Sequence, residues 1–398
     1  MTDERLSPPT DTLSPVDWLR QNLFRTWYDA LLTVIVSLVL IRVSVALIDW
    51  ALTEARWGVV TANLRLFLIG QYPPDKAWRV LLSLTVLSIL LGASAGAYRS
   101  AAVRTLSNWL AVGQLLLAGL ALASGLGAVA AAALLINAVI LFAVYLVVLR
   151  FGAPRRILTV AWLVSIPFSV VLLHGLGGAA LPVVGTNLWG GLLLTFVLAL
   201  VGIILSFPIG VLLALGRRSD LPAVRILSTA FIEVVRGVPL VTILFMAAIM
   251  LPLFLPGEIR VDQVIRAMVG ITLFSAAYVA ENVRGGLQAI PAGQIEAAHA
   301  IGLNPIQTNL HIVLPQALRA VIPANVGLFI SLLKDTTLVT IIGLLEILGI
   351  GRAVLAQPQW FGAHLEVFAF VAVVFFVMCY AMSQASYRLE TAMGVGQR

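Results

Sequence analysis

Ten apolar runs, each of about the length needed to cross roughly 30 Å of hydrocarbon, account for most of this sequence. They centre near residues 30–49, 79–98, 107–124, 128–149, 157–176, 190–214, 238–255, 264–282, 319–340 and 364–386. The two runs flanking Ser124-Gly125-Leu126-Gly127 come from dividing one longer run. The expected fold class is therefore an all-α integral membrane protein with about ten transmembrane helices. Composition agrees: 11% of the 398 residues are charged, against about 25% in a soluble globular protein.

The formal net charge of +7 would suggest nucleic acid in a soluble chain. Here the arginines are dispersed between apolar spans, as in the cytoplasmic loops of helical membrane proteins. No nucleic-acid partner is expected. The single cysteine, Cys379, lies in the last apolar run, so neither an intrachain disulfide nor a cysteine metal cluster is available. The first thirty residues are polar, with Asp3, Glu4, Asp11 and Asp17, and lack the parts of a signal peptide. The first apolar run is expected to remain as a membrane anchor.

Charge orients the spans. With the N-terminus inside, the cytoplasmic segments receive Arg20 and Arg25; Arg99 and Arg104; Arg150, Arg155 and Arg156; Arg217, Arg218, Arg225 and Arg236; Arg284 and Arg319; and Arg388 and Arg398. The outside loops near 124–127 and 177–189 carry no charge. The exception is the first outside loop, with Arg56, Arg65, Lys76 and Arg79. Its run Asn63-Leu64-Arg65-Leu66-Phe67-Leu68 is amphipathic and is expected to lie along the outer membrane surface. Both termini are then cytoplasmic, and so is the loop from Arg284 to Arg319.

That loop has the chemistry of a helical hairpin. Gln294 to Ile301 are good helix formers, with Pro291 suited to the first turn. Gly302 is placed to end the helix in the left-handed conformation, followed by apolar Leu303. Asn304 caps a second helix, Pro305 takes its first position, and Gln307 stands three residues after the cap. Ile306, Leu310 and Val313 or Leu314 form an apolar stripe, and Pro315 is expected to halt the helix. Small residues at Ala297, Ala298 and Gly302 admit another backbone closely.

The spacing Glu296-Ala297-Ala298, three residues, Gly302, nine residues, Ile312-Val313-Leu314-Pro315 resembles the EAA motif, the coupling-helix loop of the membrane subunit of bacterial ABC importers. Three further runs resemble polar amino-acid permeases of the histidine/glutamine type. They are Phe231-Ile232-Glu233-Val234-Val235-Arg236-Gly237-Val238-Pro239-Leu240, the run from Ala277 to Gly286, and Lys334-Asp335-Thr336-Thr337-Leu338. Trp57 to Asn63, Tyr72-Pro73-Pro74 and Trp78-Arg79-Val80 look like the long permease subunit of general L-amino-acid transporters.

The resemblance implies a permease subunit of a binding-protein-dependent ABC importer, carrying L-amino acids from periplasm to cytoplasm across the bacterial inner membrane. It implies a type I importer core formed by the last five spans. The implied partners are a second permease subunit, forming a heterodimer with this chain, two cytoplasmic ATPases and a periplasmic amino-acid-binding protein. ATP and magnesium would be held by the ATPases, and no cofactor or metal by this chain. The implied domains are a cytoplasmic tail, 1–28; a five-helix extension, 29–184, with an amphipathic periplasmic loop near 51–78; a core, 185–390, with the coupling loop 286–315; and a cytoplasmic tail, 391–398. The extension does not repeat the core, because loop 99–107 is too short for a docking hairpin.

Acidic residues are absent between Asp75 and Asp220, so spans two to five offer no carboxylate for a proton or cation path. Their expected role is structural. In the core, Glu233/Arg236 and Glu281/Arg284 are i,i+3 pairs at cytoplasmic span ends, positioned to pair on one helix face and to pass movement of the docking loop to the spans. Lys334 and Asp335 fall in the outer half of the ninth span. A central charge there costs about 2.5–3.5 kcal/mol on the insertion scale. With Thr336 and Thr337 they are the substrate-path candidates, complementary to an amino acid's carboxylate and ammonium. Pro323 is placed to kink the span beneath them.

The only lysines are Lys76 and Lys334, and neither ends a glycine-rich phosphate loop, so the chain has no Walker-type site of its own. It is not expected to be an enzyme. The alternative is a secondary amino-acid transporter driven by an ion gradient, which would keep carboxylates near the midplane of paired repeats. Asp335 is its one good candidate, and no inverted repeat is visible.

Overall fold

The computed structural model describes residues 14–124, 126–254, 256 and 261–394. Asp3, Glu4 and Asp11 of the N-terminal tail, Gly125 at the divided run, and 395–398 of the C-terminal tail lie outside the described residues. The chain forms two compact units, 1–57 and 58–398. In the first, Ser14 caps a short helix, Pro15–Asn22, and Thr26 caps α1 (Trp27–Asp49), which is apolar on all sides.

The second unit holds eight more helices long and apolar enough to span, among the described residues. They begin with α2 (Trp78–Tyr98), α3 (Ala101–Ala123), α4 (Gly127–Phe151) and α5 (Arg155–His174). Next come α6 (Gly191–Arg217), the amphipathic α7 (Pro222–Arg236) and α8 (Leu240–Phe254). The spans resume with α9 (Gln263–Gln288). The helices outrun their apolar cores: α3 begins at Ala101, so Arg104 is helical and only Arg99-Ser100 links it to α2.

Small residues set the packing. Gly92 and Gly96 of α2 lie one turn apart, and a Cβ at Gly92 would strike the Leu141 carbonyl of α4. A Cβ at Gly96 would stand 2.9 Å from the Tyr145 carbonyl oxygen. Close backbone approach of this kind is how membrane helices gain dispersion contact where no hydrophobic effect separates helix from lipid. The α6–α9 pair repeats it: a Cβ at Gly210 would lie 2.6 Å from Val279 Cβ. Around that seam Leu194, Leu198, Leu244, Ile271 and Leu332 form the main core.

The amphipathic run expected on the outer membrane surface is instead folded into the protein. Short helices at Gly58–Ala62 and Leu64–Ile69 bury Val59, Val60 and Phe67 against Ile347, Ile350, Val354 and Val367. Gly70 pairs with Trp189 and the Gly191 amide donates to the Leu345 carbonyl at 2.9 Å, closing this end of the bundle. An apolar face signals burial, but its period does not say whether lipid or protein covers it.

The seventh apolar run, 238–255, falls on α8. The stretch before it is α7, which meets α8 at a 107° bend across Gly237-Val238-Pro239. Pro239 has no amide to continue α7 and its ring disfavours helix in the residue before it.

Candidate functional site

The hairpin follows α9 at the end of the bundle opposite Gly70 and Gly191. Its first helix, α10 (Ala292–Ala300), takes Pro291 as its N-cap rather than in its first turn. It ends in a Schellman arrangement: the Leu303 amide donates to Ala298 at 3.1 Å and the Gly302 amide to His299 at 2.9 Å. Gly302 has φ +83°. The Asn304 side chain accepts from the Gln307 amide at 2.9 Å, and Gln307 Oε1 accepts from the Asn304 amide at 3.0 Å, completing the capping box.

Pro315 does not halt the second helix. The chain stays helical from 305 to 320, passing through π turns at Thr308–Val313. A π turn widens the helix and frees the proline from the i−4 carbonyl it would otherwise strike. Gln316 Nε2 donates to the Ile312 carbonyl just before it, at 2.9 Å. The real break comes at Val321, after which Pro323 occupies the first turn of α11 (Ile322–Asp335). The ninth span is thus Ile322–Ile342, set off from the hairpin's second helix at Val321.

Of the hairpin residues, Ala298 is buried, Ile312 and Leu314 are half-buried, and Glu296, Ala297, Gly302 and Pro315 are exposed. Val313 packs inward with Ala317 and Val283. Ile301, Ile306 and Leu310 remain largely exposed, at 77%, 70% and 53%. The hairpin therefore turns one apolar side to the bundle and leaves another uncovered. Arg319 donates to the Met393 carbonyl, tying the hairpin's exit to the end of the last span, α13 (His364–Met393), once α12 (Ile347–Leu355) has intervened.

Charges gather beside the hairpin, but not in the expected pairs. Glu281 and Arg284 do pair on one helix face, with Arg284 Nε donating to Glu281 Oε2 at 3.0 Å. Glu233 and Arg236 do not. Glu233 pairs with Arg217 of α6 at 2.8 Å, and Arg236 turns to Glu281 at 3.4 Å while lying over the Tyr278 ring. Arg217 also stands 3.6 Å from Glu281. The result is a network that joins the ends of α6, α7 and α9. Glu281, with three arginines around it, is its hub; Arg217, absent from the expected set, links it to Glu233, and its only sequence signal was its place at the end of span six.

The substrate-path candidates separate. Lys334 is exposed and Asp335 half-buried at the end of α11, with no ion pair for either among the described residues. The chain then tightens into a 3₁₀ segment, Thr336–Ile342. Thr337 donates to the Lys334 carbonyl at 2.8 Å. Thr336 is fully buried and spends its hydroxyl on the Leu333 carbonyl at 2.7 Å, so it does not line a path.

Glu346, outside the spans, caps α12. Its carboxylate accepts from the Leu348 amide at 2.9 Å, the Gly349 amide at 2.8 Å and the Thr340 hydroxyl at 3.1 Å. Burial pushes its pKa up, and these hydrogen bonds oppose that shift.

A helical membrane bundle with an apolar-tipped hairpin at one end, and no phosphate loop of its own, defines the transmembrane subunit of a transporter driven by a separate ATPase. Residues 206–394 match the family model described as the binding-protein-dependent transport system inner membrane component. Over 96% of its length the chain is 37% identical to the inner membrane amino-acid ABC transporter permease protein YhdY of Escherichia coli, covering 93% of that protein. It is also 37% identical to the glutamate/glutamine/aspartate/asparagine transport system permease protein BztC of Rhodobacter capsulatus, over 97% of this chain and 96% of BztC. The shorter probable glutamine ABC transporter permease protein GlnP of Bacillus subtilis is 36% identical, matching 51% of this chain and 92% of its own length. The chain belongs to the amino-acid ABC transporter permeases: it is a multi-span inner-membrane component, and the hydrolysis of ATP falls to another subunit.

Proposed function

We propose that this chain forms half of the translocation pore of an importer that takes L-amino acids from periplasm to cytoplasm. The hairpin 286–315 receives a cytoplasmic ATPase, which holds the ATP and magnesium. The observation that carries this reading is the uncovered apolar tip, Ile301, Ile306 and Leu310, on a helix pair braced by a left-handed glycine and a capping box. Apolar side chains at the water boundary imply a protein partner. Glu296, Ala297, Ala298, Gly302, Ile312, Leu314 and Pro315 form the docking hairpin. Glu233, Arg236, Glu281 and Arg284, with Arg217, pass its movement to α6, α7 and α9.

A cytoplasmic hairpin supports a cytoplasmic C-terminus, since Arg319 reaches Met393. The arginine distribution supports the same side and a cytoplasmic N-terminus. The partners are two ATPases, a periplasmic binding protein and a second permease subunit in a heterodimer. The core spans 185–390, and spans two to five of the extension 29–184 brace it. The half-length match to GlnP supports that division. Trp109 of the extension, donating to Gln384 of the core at 3.0 Å, supplies one brace. Lys334 and Asp335 face the substrate's carboxylate and ammonium, with Thr337 beside them.

The test is uptake by the complex reconstituted in liposomes. Amino-acid uptake should require ATP inside and ignore an imposed ion gradient. Uptake that follows the gradient without ATP would favour a secondary transporter.

A further inference from the structure

We propose that the groove between α6 and α7 binds one anionic phospholipid, with an acyl chain along the groove and its phosphate at Arg217. The groove is open, about 570 Å³, and lined by Leu213, Leu227, Phe231, Val234 and Val235, with Ser228 at its floor. α7 makes a 107° angle with the apolar helix that follows and starts just after the polar turn Arg217-Arg218-Ser219-Asp220. It therefore runs along the membrane boundary rather than through it. One side of α7 packs on the bundle through buried Ile232. The other carries adjacent Ile226 and Leu227 and, about two turns on, Val234, 63%, 71% and 64% exposed.

The charge beside the groove is unbalanced. Three guanidinium groups, Arg217, Arg236 and Arg284, share two carboxylates, Glu233 and Glu281. Arg217 Nη1 and Arg236 Nε are both buried with no hydrogen-bond acceptor. Leu213 and Arg217 are four residues apart on α6, so the guanidinium stands one turn beyond the groove wall. Glu233, which holds Arg217, immediately precedes Val234 in that wall. A surplus cation, its Arg217 side chain 26% exposed, at the end of an apolar trough matches a phosphate ester joined to an acyl chain. A second permease subunit of similar sequence fits less well. Packed about a two-fold axis, it would bring a like surplus of arginine against this one.

The proposal does not depend on the cargo or on which leaflet holds α7. The test uses the whole purified complex, exchanged into micelles of phosphatidylglycerol or phosphatidylcholine and examined by native mass spectrometry. Wild type should retain one phosphatidylglycerol per copy of this chain, and at least tenfold less phosphatidylcholine. Ser228→Trp, which fills the groove, and Arg217→Gln, which removes the cation, should each lower retention at least fivefold. Equal retention of the two lipids by wild type overturns the proposal without any variant. So does full retention in Ser228→Trp, or its separation of the two permease subunits, which would make the groove a subunit interface.

Discussion

Arg217 reaches across from α6 to hold Glu233 of α7 at 2.8 Å, taking the partner that Arg236, three residues along the same helix, leaves free. The exchange turns two local pairs into a network spanning three helices beside the docking hairpin. Glu233 is 55% exposed on its side chain, so the pair itself contributes no more than about 1 kcal/mol to stability. Its larger effect is expected on coupling. Arg217→Ala should leave the melting temperature of the complex nearly unchanged and lower ATP-driven uptake several-fold relative to ATP hydrolysis. Exchanging the two charges, Arg217→Glu with Glu233→Arg, should restore part of it. Uptake and hydrolysis falling in parallel would remove the network from the coupling path.

Gly302 is the sharpest point of the hairpin. Nothing lies within 4 Å of where its Cβ would stand, so a substitution meets no clash and pays only for φ +83°. That conformation costs an L-residue about 1–2 kcal/mol, and a β-branched one more. Gly302→Val should swing α10 away from the second helix and reduce co-purification of the ATPase at least tenfold, with Gly302→Ala intermediate. Wild-type recovery of the ATPase with both variants would exclude the docking role.

This hairpin was legible because its instructions are local: a glycine, a cap and a proline act on their own neighbours. Pro315 stays inside the helix because a π turn makes room for it, and a π turn leaves no mark in residue spacing. The ion network was half legible for a related reason. Helical spacing shows which charges share a face, as Glu281 and Arg284 do, but not which helix faces them across a seam. The same blindness put 63–68 on lipid when Phe67 is covered by α12 and α13.

The α6–α9 seam depends on absent side chains. A methyl at Gly210 would lie 2.6 Å from Val279 Cβ and 2.8 Å from the Ala276 carbonyl oxygen, forcing the helices apart. Overpacking of this kind costs about 1–3 kcal/mol. Gly210→Ala should lower the melting temperature of the complex by several degrees. Gly113→Ala, where no atom lies within 4 Å, should leave it unchanged or raise it. Equal effects at the two glycines would mean that helix propensity, not the seam, decides.

Glu346 predicts a pH dependence with a definite sign. Burial raises its folded-state pKa above the unfolded value, so its contribution is fully present below the unfolded pKa, about 4.3, and is lost as pH rises through the folded one. Stability should therefore fall between those two values. Glu346→Gln removes the titration but gives up one of the two amide acceptors at the cap of α12. Its melting temperature should be the flatter function of pH, with the variant's deficit smallest at the alkaline end. Parallel curves would show that another group carries the dependence.

Lys334 and Asp335 decide what the pathway recognises. Each sits at the end of α11 without an ion pair among the described residues, and a charge in a membrane segment costs kilocalories unless it is compensated. An amino acid supplies both signs at once, whereas the second permease subunit supplies a fixed partner whether or not cargo is present. The two cases separate in kinetics. If Lys334 meets the substrate carboxylate, Lys334→Gln should raise the half-saturating concentration for transport about tenfold, equivalent to about 1.4 kcal/mol of lost binding. The subunits should stay associated and basal ATP hydrolysis should persist. Asp335→Asn should do the same for the ammonium, with weaker effect because that carboxylate is half-buried. Thr336→Val should change neither, since its hydroxyl already donates to Leu333. If Lys334→Gln instead loosens the permease pair and leaves the concentration dependence intact, the lysine is a subunit contact and the cargo is read elsewhere.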